Sequence, residues 1–168
     1  MSRRLVVLAA ALLGLGASPV AAQEPTPAIP AVEATPPMPG TESETERNRR
    51  VVTAFAELFW NQRDVRQAFE THVREDYIQH NPLAPDGRAP AISALSGFFA
   101  ASPTLSYEIH RIIVDGNLAA VHTRMRRNTE DRGFAVVDIF RLEDGLIVEH
   151  WDVIQEVPEQ SANPHPMF

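Results

Sequence analysis

Residues 134–157 read FAVVDIFRLEDGLIVEHWDVIQEV, and the way this stretch folds decides the rest. Two apolar runs, FAVVDIFRL and LIVEHWDVIQEV, flank the turn residues Glu143, Asp144 and Gly145, which is the pattern of a β-hairpin. Val, Ile, Phe and Trp suit a pleated surface covered on both sides, so Asp138, His150 and Asp152 stand out as ionisable groups inside apolar strands. Side chains alternate at period two and opposed residues share a face, so the turn decides which groups meet. A three-residue loop, a type I turn closed by Gly145 in the left-handed region, pairs Leu142 with Leu146, Asp138 with His150 and Val136 with Asp152. A two-residue loop of Asp144 and Gly145 instead sets Asp138 opposite Trp151 and sends His150 to the other face. The three-residue loop is the expected one. It gathers Phe134, Val136, Asp138, Phe140, Val148, His150, Asp152 and Ile154 on one face, a polar centre within apolar walls, which is how ligand pockets are lined. The opposite face then carries Ala135, Val137, Ile139, Ile147, Trp151 and Val153, too apolar to leave in water, and predicts a homodimer formed through the sheet.

Working outward, Leu105–Val114 and Leu118–Arg127 alternate in strand fashion around Asp115, Gly116 and Asn117, giving a second hairpin. Before them, Ile92, Leu95, Phe98 and Phe99 form one stripe of a helix over Ala89–Ala100, with Pro90 in its first turn. Tyr77–Asn81 reads as a short strand, since Pro82 biases Asn81 towards extended geometry. Asp64 is a candidate N-cap for a short helix burying Val65, Ala68 and Phe69. Thr45–Trp60 carries Val51, Val52, Phe55, Leu58 and Phe59 at helical spacing. Helices first and a run of antiparallel strands afterwards argue an α+β domain, with about three N-terminal helices covering one face of a curved sheet. The tail SANPHPMF is too rich in Pro and polar residues to continue a strand and should lie over the surface.

Residues 1–22 have the layout of an export signal, with Arg3 and Arg4 ahead of the apolar run Leu5–Gly16 and small residues ending in Ala21 and Ala22. That run is shorter than the roughly 20 residues a membrane-spanning helix needs, so contact with a membrane is expected only during export, and the mature protein is expected to be periplasmic or secreted. Residues 23–43, rich in Pro, Ala, Thr and Glu, read as a disordered linker. The domain then comprises residues 44–168, tail included. Loss of the signal leaves 13 basic against 22 acidic residues, a net charge of -9 with His neutral, which makes nucleic acid an unsuitable partner. The chain has no cysteine, so disulfide and thiol chemistry are excluded. All 15 basic residues are Arg, and Schiff-base chemistry, which needs an amine nucleophile, is excluded with them.

No nucleophile elbow, phosphate-binding Gly loop or HExxH motif is present among the six His. His80, His122, His150 and Asp138 lack the spacing of a metal site, so no metal and no cofactor is expected. Asp138 has two readings. It could be a structural carboxylate paired with an Arg such as Arg141. Alternatively Val136, Ile139 and Phe140 give it a low-dielectric setting in which, with His150 across the hairpin, it exchanges a proton. His80 could equally tether its loop, and His122 could be a satisfied core histidine.

YIQHNP, VVDIFRLEDGLIVEHWDVIQ and SANPHPMF together resemble the SnoaL-like branch of the nuclear transport factor 2-like superfamily, over nearly all of residues 46–168. The resemblance implies a cone of curved antiparallel sheet closed by helices around a pocket, and often a dimer through the sheet. Polyketide cyclases of this type use an Asp as acid-base catalyst, and the distantly similar ketosteroid isomerases carry a pocket Asp in the strand matching DIFR. Asp138 is the carry-over. The isomerases' general base lies in the segment matching QHNP, where this chain has Asn81, so His80 or His150 would have to supply the base. The resemblance thus implies a cofactor-independent aldol cyclase or isomerase acting on a small apolar carbonyl compound, with Asp138, His150 and His80 catalytic. Tyr77, Asn81, His122, Phe140 and Asp152 are then expected to contact the substrate. The alternative is a domain that binds a small apolar molecule without chemistry.

Overall fold

The computed structural model describes residues 42–168, so the expected export signal and nearly all of the expected linker lie outside the described residues. The chain starts with α1, Glu44–Ala56, whose N-terminus is closed by a capping box between Ser43 and Glu46. The helix expected to run to Trp60 changes at Glu57–Asn61 into a π-helical turn. The inserted residue lets the neighbours Phe59 and Trp60 both turn inward beside Phe55, which uniform α-helical spacing would not do. Asp64 caps α2, Val65–His72, through its carboxylate on the Gln67 N–H. Strand β1, Val73–Gln79, begins four residues earlier than its local sequence suggests, because a partner strand recruits Val73. Helix α3 spans Arg88–Ala101, followed by β2 (Ser106–Asp115), β3 (Leu118–Arg126), β4 (Phe134–Glu143) and β5 (Leu146–Glu156).

The five strands form one mixed, curved, open sheet in the order β1-β5-β4-β3-β2. The four long strands are antiparallel to their neighbours, whereas β1 joins β5 in parallel. Helices and sheet enclose an aromatic core, in which Phe55 contacts Phe59, Trp60, Phe69 and Phe140 at centroid distances of 5.4–6.1 Å. The class is α+β, as the run of helices before strands implies.

The decisive hairpin departs from the expected register. Asp144 (φ 49°) and Gly145 (φ 78°) both adopt positive φ, and Glu143 pairs with Leu146, so the loop has two residues, in type I′ geometry. Such a turn matches the right-handed twist of the strands it joins, and Asp and Gly tolerate its backbone. The pairing then jumps from Leu142–Ile147 to Arg141–Glu149, leaving Val148 as the extra residue of a β-bulge. The bulge reverses the parity beyond it. Asp138 therefore lies opposite Asp152, Phe140 opposite His150 and Val136 opposite Ile154, in place of the expected Asp138–His150 and Val136–Asp152 pairs. His150 and Asp152 nevertheless reach the face of Asp138. Ile147, expected on the outer face, is fully buried in the core instead.

Candidate functional site

A cavity of about 400 Å³ opens between the helices and the inner face of the sheet. Phe55, Phe59, Trp60, Phe69, Tyr107 and Phe140 give it aromatic walls. Its polar side is assembled from β1, β4 and β5: Tyr77, Gln79, Asn81, Asp138, His150 and Asp152. Alternation along β1 explains the first three, since Tyr77, Gln79 and Asn81 share one side of the extended chain while Ile78 and His80 take the other.

The hydrogen bonds fix the protons of this cluster. The backbone N–H of Asn81 donates to Gln79 Oε1 at 2.9 Å, so that atom is an acceptor, and it also receives His150 Nδ1 at 2.9 Å. Nδ1 of His150 must carry hydrogen. On the other side of the ring, Nε2 lies 3.1 Å from Asp138 Oδ1. With Nδ1 already protonated, the pair holds one proton between them: either Asp138 is a neutral acid donating to a neutral imidazole, or a carboxylate accepts from an imidazolium. Burial pushes the Asp138 carboxyl above its ordinary range, the bond and charge of His150 pull it back, and Asp152 adds to the rise. Asp138 Oδ2 is buried and has no hydrogen-bond partner among the described residues. An acid-base couple with one free oxygen thus stands in the wall of an apolar cavity.

Gln79 Nε2 donates to the Tyr77 hydroxyl at 3.1 Å, which leaves the Tyr77 O–H free to donate to a ligand. Burial foremost, and then the negative charge of Asp138, raise the ionisation of Tyr77 and Tyr107 well above the usual phenol range, so both remain O–H donors. Asn81 is oriented by accepting the Leu83 N–H at 2.8 Å, and its amide donates to Asp152 Oδ2 at 2.6 Å. Asp138, His150 and Asp152 each bring a donor atom within 4.8 Å of the others, a set whose atoms are largely engaged by His150–Asp138 and Asn81–Asp152 bonding.

Of the eight residues singled out from the sequence, Asp138, His150, Tyr77, Asn81, Phe140 and Asp152 line the cavity. His80 and His122 do not. His80 stacks on Trp151 with ring centroids 4.8 Å apart and bonds Glu149 at 2.8 Å, on the outer face of the sheet. His122 pairs with Val137 on that same face, where Arg111 donates to its Nδ1 at 2.8 Å. An arginine has no other role there, so the His122 ring is held neutral with its proton on Nε2. Burial, Arg111 and His110 all depress its protonation. The two histidines are also too displaced to join Asp138 and His150 at one metal ion. Phe168 at the end of the tail lies against His110 and His122, with the Arg124 guanidinium over its ring. Gln79 and Tyr107 are the site residues that the sequence reading missed. Gln79 was signalled by its position between Tyr77 and Asn81 in the alternation, whereas nothing local singled out Tyr107.

Residues 52–150 match the SnoaL-like domain family. The chain belongs to that family. The SnoaL-like fold is equally plain in solved structures. An NTF2-like protein of unknown function from Mesorhizobium loti is 21% identical, with a TM-score of 0.57 over 68% of this chain and 96% of that one. A candidate SnoaL-like polyketide cyclase from Jannaschia sp. CCS1 is 19% identical, with a TM-score of 0.56 over 68% and 89%. A candidate ketosteroid isomerase from Kribbella flavida DSM 17836 is 22% identical, with a TM-score of 0.58 over 72% and 87%. At such identities the likeness is one of fold, and activity has to be argued from the site. No curated protein matches the chain.

Proposed function

We propose that this SnoaL-like protein is an exported acid-base enzyme of the cyclase or isomerase class, acting on a small apolar carbonyl compound. The observation that carries the reading is the buried Asp138–His150 couple in the cavity wall, in which Asp138 Oδ2 has no hydrogen-bond partner among the described residues. As the carboxylate, Asp138 Oδ2 takes a proton from carbon next to the substrate carbonyl. The imidazolium offsets the charge that Asp138 carries beforehand. The hydroxyls of Tyr77 and Tyr107 donate to the developing enolate oxygen, and because both stay protonated they do so without a proton transfer of their own. Return of the proton to a different carbon isomerises the substrate. Attack of the enolate carbon on a second carbonyl closes a ring, and the alkoxide so formed takes the proton back from Asp138.

In the same reading, copies of the chain pair through the outer face, where Val153 and Ile113 are 61% and 60% exposed. The test of the activity is hydrogen exchange in deuterium oxide. A panel of enolisable bicyclic ketones, beginning with 2-tetralone, is incubated with protein and followed by loss of the α-proton resonances. Acceleration over buffer that Asp138→Asn abolishes supports the enzyme. Ketones that bind without faster exchange would leave a binding domain and remove the enzyme reading.

A further inference from the structure

The charge of the cavity raises a separate question. Asp138 and Asp152 are directly opposed across β4 and β5, an arrangement in which like charges repel. The proton shared with His150 makes the Asp138–His150 couple neutral in sum, whichever partner holds it. Asp152 has no such relief. Its polar partner in the site is the uncharged amide of Asn81 at 2.6 Å, a short contact of the kind a carboxylate accepts. Among the described residues no arginine lines the cavity, and the chain has no lysine. The nearby Arg63 is taken up by the carbonyl oxygens of Phe99, Ser102, Pro103 and Leu105. The cavity wall therefore carries about one negative charge, on the partly buried Asp152, with no counter-ion lining it among the described residues.

From this we infer that the ligand brings the missing positive charge: the pocket takes an apolar molecule bearing a protonated amine. The ammonium sits at Asp152 beside the free Asp138 oxygen, and the apolar body lies among the aromatic walls. Phe55, Trp60, Tyr107 and Phe140 offer π faces to such a cation, an attraction that strengthens out of water. An inorganic cation would satisfy the carboxylates but would leave most of the 400 Å³ of aromatic-walled space unused. Carboxylate and phosphate ligands are disfavoured by the same charge. The inference deepens the reading of the cavity as the working site, and it concerns binding rather than turnover.

The test uses three indoles of similar shape and different charge: tryptamine, the neutral tryptophol and indole-3-propionate. Calorimetric titration of the full chain at neutral pH should rank them in that order, with tryptamine at least about tenfold tighter than tryptophol. Asp152→Asn should bring tryptamine and tryptophol close to parity, with the larger loss falling on tryptamine. Should that variant not fold, Asp152→Ser serves the same comparison. Equal affinity of tryptamine and tryptophol for the wild-type chain, or a preference that survives loss of the carboxylate, would overturn the inference. So would Mg²⁺, Mn²⁺ or Zn²⁺ that binds and displaces tryptamine, because the carboxylates would then serve an inorganic cation. These readouts are independent of ketone exchange. A failed exchange assay with tryptamine preferred would remove the enzyme reading alone, and exchange without charge preference would remove this inference alone.

Discussion

Two histidines of this chain each bond a carboxylate, and they sit on opposite faces of the same sheet. His150 meets Asp138 at 3.1 Å with the His150 side chain 9% exposed and that of Asp138 14% exposed. His80 meets Glu149 at 2.8 Å, with the His80 side chain 42% exposed. The bonding is alike, and the surroundings give it opposite meanings. Asp138 is raised by burial, whereas Glu149 is lowered by the hydrogen bonds it accepts from His80 and Arg141. Glu149 belongs to a chain of paired charges that continues through Arg141 and Glu143 to Arg74 and Asp76. A carboxylate with so many donors stays ionised and structural. One with a single donor and a free buried oxygen is placed to move a proton.

The largest expected effect of breaking this contrast is on chemistry. In the ketone exchange assay, Asp138→Asn should lower the rate by about 10²-fold or more, whereas Glu149→Gln should leave it near the wild-type value. An asparagine amide can still donate to His150 Nε2, so the fold should survive. If Glu149→Gln lost as much as Asp138→Asn, the two faces would not differ as argued.

A second expectation concerns what the outer face is for. If it joins two copies, Val153→Glu places a charge in the interface, and sedimentation equilibrium should show the dimer weakened by at least about tenfold. A wild-type monomer at micromolar concentration would show that another cover suffices, the tail ending at Phe168 being the nearest.

The third contrast is in stability against pH. The folded Asp138 binds its proton more tightly than the unfolded one, so its contribution is complete below the ordinary value of 3.8 and is lost as pH rises through the elevated folded value. Glu149 has the reverse sign. Its contribution is present above the ordinary 4.5 and is lost as pH falls through the depressed folded value. Urea unfolding between pH 3 and pH 8 should therefore show Asp138→Asn gaining relative to wild type as pH rises, and Glu149→Gln losing. The same direction for both would contradict the assignment.

The smallest effect belongs to His80. Its stack on Trp151 and its bond to Glu149 are exposed, and His80→Ala should cost about 1 kcal/mol of stability without changing the exchange rate.

How legible this was in the sequence depends on the range of the interaction. The hairpin, the capping aspartate at residue 64 and the helices are local patterns that appear near where they were read, except that the first helix turns π-helical at Glu57 and Phe98 of the α3 stripe is 44% exposed. The α+β class followed from their order. The register did not follow, because the bulge at Val148 is fixed by what packs on both faces of β5 and carries no local mark. The pocket face nonetheless came out right for Asp138, His150 and Asp152. The bulge shifts the partner by two residues relative to the three-residue loop, and a shift of two preserves the face. His80 was misplaced for a different reason. The alternation in YIQHN puts Tyr77 and His80 on opposite sides of the extended chain, so only one of them can face the cavity. Tyr107 comes to the cavity from β2, and only the curvature of the assembled sheet brings it there.

The central claim is that Asp138 and His150 hold one proton between them while Gln79 holds the other ring nitrogen. Nitrogen-15 NMR of the His150 imidazole measures this directly, with the resonance assigned by its loss in His150→Gln. The account predicts hydrogen on Nδ1 throughout the neutral range, and an Nε2 shift that responds to Asp138→Asn. A neutral ring with a bare Nδ1 and its only proton on Nε2 would contradict it, since Asp138 would then be a plain carboxylate and the couple would have no shared proton to transfer.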